Sequence, residues 1–262
     1  MNRSSLATLF TLLAVAASPA HAQLDDNSLA QLQSLGQSPA NAGELIYKGD
    51  TYAQQSSSEQ PLFRYERRVA MTPAGLTASH LTRNPSGELM VFEVAQVGPD
   101  YALQRFETIN QQSDFSGSVA VSADGRQLHY SLLEQGEASH ADEEVDLPVV
   151  TGPSMHGFIL QHWDQIKAGS SLPVRFVVLQ EKQTYGFDIR FEQEAQGQTV
   201  FTVTPSNFLI RMAIAPLKVT FDSSARTVVR YEGRVPPKQE IDGQLKDLDA
   251  RVEYTAITPS YR

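Results

Sequence analysis

Short runs of β-branched and aromatic residues recur along most of this chain, each closed by a turn signal, and that spacing leaves few folds open to it. The punctuation includes Pro85-Ser86-Gly87, Asp124-Gly125 and Asp222-Ser223-Ser224. Strands are predicted over 44–53, 62–70, 75–83, 88–97, 101–109, 115–122, 126–134, 172–181, 184–194, 198–204, 207–214, 216–221, 226–235 and 249–258. The expectation is a mainly β fold: a large antiparallel curved sheet, or a closed or half-open barrel-like sheet. The chain has no cysteine, so no disulfide braces it, and a hydrophobic content of 41% supplies the core instead. An outer-membrane barrel would alternate lipid-facing and lumen-facing residues over strands of ~10 residues. Here charges interrupt both faces, as in LFRYERRV, and the chain closes on Pro259-Ser260-Tyr261-Arg262 without an aromatic strand, so a soluble sheet is expected.

Residues 1–22 carry one cation, Arg3, then an apolar run from Leu6 to Ala17, then Ala20-His21-Ala22. This is the pattern of a secretory signal cleaved after Ala22, with an apolar run too short to span a bilayer. The expectation is a periplasmic protein starting at Gln23, with a flexible leader over 23–42, a single β-rich domain over 43–262 and no transmembrane segment in the mature chain. The absence of cysteine excludes a lipidated-cysteine anchor. The net charge of −9 argues against nucleic acid as a partner, because phosphate backbones are met by clustered Lys and Arg.

One segment breaks the β texture: TGPSMHGFILQHWDQIKAG, residues 151–169. Pro153 suits a helix start and Gly169 its stop, so one amphipathic helix is predicted over about 154–167, packed on the sheet. Met155, Phe158, Ile159, His162 and Ile166 project to one face, with Trp163 on its flank; Gly157, Gln161 and Asp164 project to the other. His162, in the middle of the apolar stripe, and Trp163 are therefore candidate ligand contacts, with His156 stacked beside Trp163. Asp164 points away, so a Trp-His-Asp catalytic group is not expected.

The segment VVTGPSMHGFILQHWDQIKAG, followed by LPVRFVV, GFDIRF and VVRYEG, resembles families of secreted bacterial β-rich proteins of unknown function. The shared look is a GP-helix-WD-x-x-x-x-G segment, then extended strands and a Y-x-G strand. It implies an exported sheet-plus-helix protein and carries no catalytic residues.

Other candidates are charged residues in predicted strands. Arg175, Arg190 and Arg211, with Arg230, fall near the middle of late strands and would form a row across the sheet if those strands pair in register: an outer face, or a basic patch for an anionic ligand. Glu93 interrupts the apolar run ELMVFEVAQV, and a three-residue loop at Gly98-Pro99-Asp100 would place it opposite Arg105 as a buried ion pair or a ligand grip. The stretch EASHADEEVD, 137–146, lacks the spacing and glycine of a calcium-binding loop and is expected to be a solvated acidic loop. No P-loop, H-E-x-x-H, G-x-S-x-G or dinucleotide fingerprint is present, so no cofactor, metal site or catalytic residue is assigned. The functional expectation is a non-enzymatic periplasmic protein that binds an apolar or amphipathic, lipid-like envelope ligand or an envelope protein. The alternatives are a secreted hydrolase without a recognisable motif and a purely structural or interaction protein.

Overall fold

The computed structural model of the chain describes Ser34, Gly36 and residues 38–258, apart from Glu59 and Ala74. The expected signal over 1–22 and most of the leader lie outside the described residues. Fifteen strands form one sheet: β1 (Glu44–Ala53), β2 (Phe63–Thr72), β3 (Gly75–Arg83), β4 (Leu89–Val97), β5 (Leu103–Asn110), β6 (Phe115–Val121), β7 (Gln127–Glu134), β8 (Glu137–Glu144), β9 (Val149–Val150), β10 (Leu172–Val178), β11 (Gln183–Ala195), β12 (Gln198–Pro205), β13 (Leu217–Asp222), β14 (Val228–Ile241) and β15 (Gln244–Ala256).

The spatial order is two meanders joined at their chain ends. From β1 the sheet runs outward through β2 to β8; on the other side of β1 lies β15, followed in descending order down to β9. All neighbours are antiparallel except β9 and β10. The edges are thus β8 and β9, and no backbone ladder joins them, so the sheet is curved and not closed. Side chains bridge the seam instead. Glu143 of β8 accepts from Arg175 Nη2 of β10 at 3.0 Å, and from the Thr184 backbone N–H and hydroxyl of β11 at 2.8 and 2.6 Å. Tyr130 of β7 donates to the same carboxylate at 2.8 Å. A 3-10 turn at Leu179–Glu181 presses Leu179 onto the bare backbone of Gly117 in β6, where an added Cβ would sit 2.1 Å from Leu179 Cδ2.

Three readings of the sequence are corrected here. The acidic stretch expected to be a loop is β8: every second side chain faces water, an edge-strand pattern whose charges discourage further pairing. The run expected as a strand over 207–214 is the short helix α3 (Phe208–Ala213), because the Asn207 side chain caps it by accepting from Leu209 N at 2.8 Å. The helix expected over 154–167 is broken. Thr151 and Ser154 form a reciprocal cap that starts α1 (Gly152–Gln161) two residues earlier, and His162, at φ −103° and ψ 14°, separates it from α2 (Trp163–Lys167).

The main core lies between these helices and the late strands. Trp163 is 3% exposed, with its ring edge-on to Phe201 at 4.9 Å and Phe221 at 5.3 Å and the Arg226 guanidinium 5.1 Å above it. On the outer face of β3 to β5, Leu81, Phe92, Val94 and Ile109 are covered by Ala42, the last residue of the expected leader. Arg83 Nη2 donates to the Gly36 carbonyl at 2.8 Å on the same side. This explains why ELMVFEVAQV, the β4 segment, reads as an apolar run.

Candidate functional site

Strand register sets four polar residues side by side on the concave face. Arg67 of β2 faces His80 of β3, His80 faces Glu93 of β4, and Glu93 faces Thr108 of β5. Arg67 is 5% exposed and His80 8%. Arg67 Nη1 donates to His80 Nε2 at 2.8 Å and to the Pro153 carbonyl, in the first turn of α1, at 2.6 Å. A guanidinium is only a donor, so His80 Nε2 must accept and its proton sits on Nδ1. That nitrogen is 3.9 Å from Glu93 Oε2. The start of α1 lies over this row: an added Cβ on Gly152 would be 3.6 Å from Glu93 Oε2 and 3.8 Å from His80 Nδ1.

Among the described residues no carboxylate lies within ion-pair distance of Arg67. Burial pushes the His80 imidazole well below its ordinary value, and the Arg67 charge adds to this. The same two causes, burial first, take His156 down to about 3. Burial takes the Glu93 carboxyl up to about 7. Burial also raises the Tyr65 and Tyr254 phenols above their ordinary value. The cluster therefore combines one fixed cation, neutral imidazoles, neutral phenols and a carboxyl poised near neutrality.

Its hydrogen bonding is incomplete. His156, on α1, turns its ring toward His80 at 6.2 Å and Tyr254 at 6.0 Å, yet its Nδ1 has no hydrogen-bond partner. The Tyr65 hydroxyl makes no hydrogen bond of good geometry but lies close enough to Arg67 and Tyr254 to interact with both, and its ring packs edge-on to His80 at 4.9 Å and Tyr254 at 5.3 Å. Buried polar atoms are paired in the great majority of cases, so an orphan imidazole nitrogen beside a poorly satisfied hydroxyl calls for an explanation. The space beside them supplies it. A cavity of about 610 Å³ has Tyr65, His80, Glu93, Thr108 and His156 among its lining residues and continues along Phe106, Phe115, Phe176, Phe187, Leu209, Ile214 and Val235. It reaches the surface, because its lining also includes Asp247, whose side chain is 60% exposed.

The predicted site residues are placed as follows. Glu93 is in the cavity, but the expected Glu93–Arg105 pair is not formed. Residues 98–102 make a loop longer than expected, with Tyr101 at φ +61°, and a bulge follows at Gln96/Val97. Arg105 then faces Gln96 and binds Glu107 of its own strand at 2.8 Å, away from Glu93. The loop lengthens because Tyr101 turns out of the ladder and lays its ring on Gly157 of α1, where a Cβ would lie 2.0 Å from Tyr101 Cε1. Gly157, expected on the polar face, is therefore buried.

The two helix histidines exchange roles. His162, expected in the apolar stripe, stands at the helix break, half-buried, with its ring on Phe158 at 4.6 Å and Nδ1 3.3 Å from Gln165 Oε1. It borders a separate surface cleft of about 830 Å³ and makes no ion pair with any described carboxylate. His156, expected to stack beside Trp163, is the buried one. Trp163 fills the core and does not line either cavity. The arginine row does not form. Arg175 belongs to the seam, Arg190 reaches Asp188 and Ser171, Arg230 reaches Glu253, and Arg211 is on α3, donating to the Ser206 carbonyl at 3.3 Å.

Sequence reasoning missed Arg67, His80, His156 and Tyr65. A signal was present: in FRYERRV, Arg67 shares its strand face with Phe63, Tyr65 and Val69, and in TASHLT His80 shares one with Ala78 and Thr82. Among the described residues no group of three or more His, Cys, Asp or Glu is placed to hold a metal ion.

No family model matches the chain. No curated protein matches it either. Among solved structures, one similar fold is a β-barrel-like protein of a domain of unknown function, DUF1849, from Brucella abortus. It is 8% identical, the match covers 82% of this chain and 98% of that one, and the TM-score is 0.39. At that distance the likeness transfers no residue role. Among the described residues no helix is long and apolar enough to cross a membrane.

Proposed function

We propose that the protein binds an amphipathic small molecule inside its curved sheet, in the exported compartment to which the expected signal would direct it. The observation that carries this reading is the cavity of about 610 Å³, with an apolar wall and a buried polar floor on which His156 Nδ1 is unpaired and the Tyr65 hydroxyl is poorly satisfied. An aliphatic or aromatic body suits the Phe106, Phe176 and Phe187 wall. A small uncharged polar end, such as a hydroxyl or a protonated carboxyl, can both donate and accept. It would complete the floor at less desolvation cost than a charged one. Pockets of this size with a few convergent polar groups are the usual form of small-molecule sites.

Among the described residues the floor has one carboxyl, Glu93, and no second carboxylate or activated nucleophile converges on it, so the cluster suits recognition better than hydrolysis. His162, around which a hydrolase reading would be built, lies outside this cavity. The test is native mass spectrometry of protein purified from its envelope compartment, with titration of a fluorescent medium-chain fatty acid into the stripped protein. The expected result is a retained small molecule, saturable probe binding and weaker binding in Thr108→Phe, which fills the floor. A bare protein mass together with no saturable uptake overturns the reading.

A further inference from the structure

The cavity opens beside the most exposed apolar side chains of the described chain. On α3, Phe208 is 68% exposed, Leu209 72% and Met212 74%. Leu209 also lines the cavity, together with Ile210 and with Ile214 just beyond the helix. The exposed apolar surface and the cavity wall are therefore one continuous strip. These side chains add little to the core, and apolar surface left at the rim of a cavity marks an interaction site.

The charges at this rim favour one kind of surface. Arg234 is held between Asp247 at 2.6 Å and Asp249 at 2.8 Å, and Glu181, whose partners Tyr185 and Gln183 are neutral, keeps its charge, so the rim carries both signs. Arg211, on α3, and Lys238, in the cavity lining, have no carboxylate within ion-pair distance among the described residues. Arg211, carried on α3 itself among the protruding Phe208, Leu209 and Met212, is placed to meet lipid phosphates where those side chains would enter a bilayer, with Lys238 as a second free cation at the mouth. The β14–β15 hairpin holds the opposite side of the mouth in place: the Gln112 side chain donates to the Lys238 carbonyl at 2.8 Å and accepts from its N–H at 2.7 Å.

We propose that the α3 rim docks on an anionic lipid bilayer. Phe208, Leu209 and Met212 enter the boundary between headgroups and acyl chains, Arg211 and Lys238 meet the headgroups, and the cavity mouth faces the membrane. The purpose of this docking, exchange of an amphiphile between bilayer and cavity, rests on the proposed binding function; the docking itself is separable from it.

The experiment is flotation of the purified protein with vesicles of phosphatidylcholine alone and of phosphatidylcholine with phosphatidylglycerol. Phe208→Ser/Met212→Ser is compared with wild type; both positions are exposed and neither lines the cavity, so melting temperature and fatty-acid uptake from solution serve as controls. The protein should float with the anionic vesicles. The double variant should bind them at least roughly tenfold more weakly, as two large apolar side chains no longer leave water, and Arg211→Ser about fivefold more weakly, on anionic vesicles only. No flotation of the wild type, or equal flotation of the double variant, overturns the docking while leaving the cavity reading to its own test. A wild-type dimer in sedimentation that the double variant converts to monomer also overturns it, by making a second copy the occupant. Flotation lost in the double variant but with no fatty-acid uptake by either protein supports docking and removes the cavity reading.

Discussion

The two ends of the helical segment sit on the same concave sheet and are treated in opposite ways. At its far end Trp163 meets Phe201 and Phe221, every ring finds a ring, and Ile159 and Ile166 are fully buried beside them. At its near end α1 covers Arg67, His80, Glu93 and His156, and the space beyond them is left unfilled. The first region is built for density, which stabilises a fold at little risk. The second keeps a buried guanidinium, two imidazoles and a carboxyl where apolar residues would be more stable, an arrangement that stability alone does not favour. That contrast directs the functional reading to one end of the helical segment.

The largest effect should come from the filled end. Trp163→Ala should lower the unfolding free energy by ~3–5 kcal/mol, since a large ring leaves a packed site. Urea denaturation followed by circular dichroism measures it. A loss below about 1 kcal/mol would mean that the aromatic cluster around Trp163 is not the stabilising region, and the comparison would collapse.

The polar end should respond to pH where the filled end does not. Glu93 titrates near 7 in the fold against 4.5 for an ordinary glutamate, so between these values the folded chain holds a proton that the unfolded chain has released. The Glu93 contribution to stability then falls as pH rises from about 4.5 to about 7, by a total on the order of 3 kcal/mol. The two histidines act in the opposite sense. Both are depressed below 6.5, so their contribution is complete above that value and is lost as pH falls, toward about 3 for His156. Glu93→Gln isolates the carboxyl: relative to wild type its melting temperature should be unchanged near pH 4.5 and higher at pH 8. A difference that stays flat across this range would show that Glu93 is not a buried acid.

A smaller loss is expected where the two regions meet. Gly157→Ala would drive a methyl into the Tyr101 ring, which must swing out of its loop. Overpacking of this kind costs ~1–3 kcal/mol. Melting temperatures of Gly157→Ala and Gly157→Ala/Tyr101→Ser decide the cause. If the second change recovers none of the loss, the clash is not with Tyr101.

The regularity of the meanders made most strands legible, because turn residues and β-branched runs act locally. What escaped depended on distant contacts. The acidic β8 reads as a loop because its reason to be extended, the Glu143 bridge across the seam, lies 41 residues away at Thr184. The α3 run alternates like a strand, and only the Asn207 cap and the absence of an adjacent ladder make it helical. The Glu93–Arg105 register failed on Tyr101, whose place is set by Gly157 in another element. The polar row was partly legible: Glu93 stood out in its run, whereas Arg67 and His80 were each one polar residue on an apolar strand face and gained meaning only when pairing aligned them.

The smallest expected effect separates the two histidines, and with them the two environments. His156→Phe replaces a buried imidazole whose Nδ1 is unpaired by a ring of similar shape among Tyr254, Phe221 and His80. Removing an unsatisfied buried polar atom while keeping its volume is close to neutral or mildly stabilising, within about 1 kcal/mol. Binding of the fatty-acid probe should nevertheless weaken, because the floor loses a group for the ligand's polar end. His162→Ala removes a half-buried ring whose one polar contact is Gln165, so it should cost at most about 1 kcal/mol and leave probe binding unchanged. Paired melting curves and probe titrations on the two variants read both quantities. If His162→Ala weakens the probe and His156→Phe does not, the ligand site belongs to the surface cleft, and the polar end of the concave face would be a stability cost without a binding role.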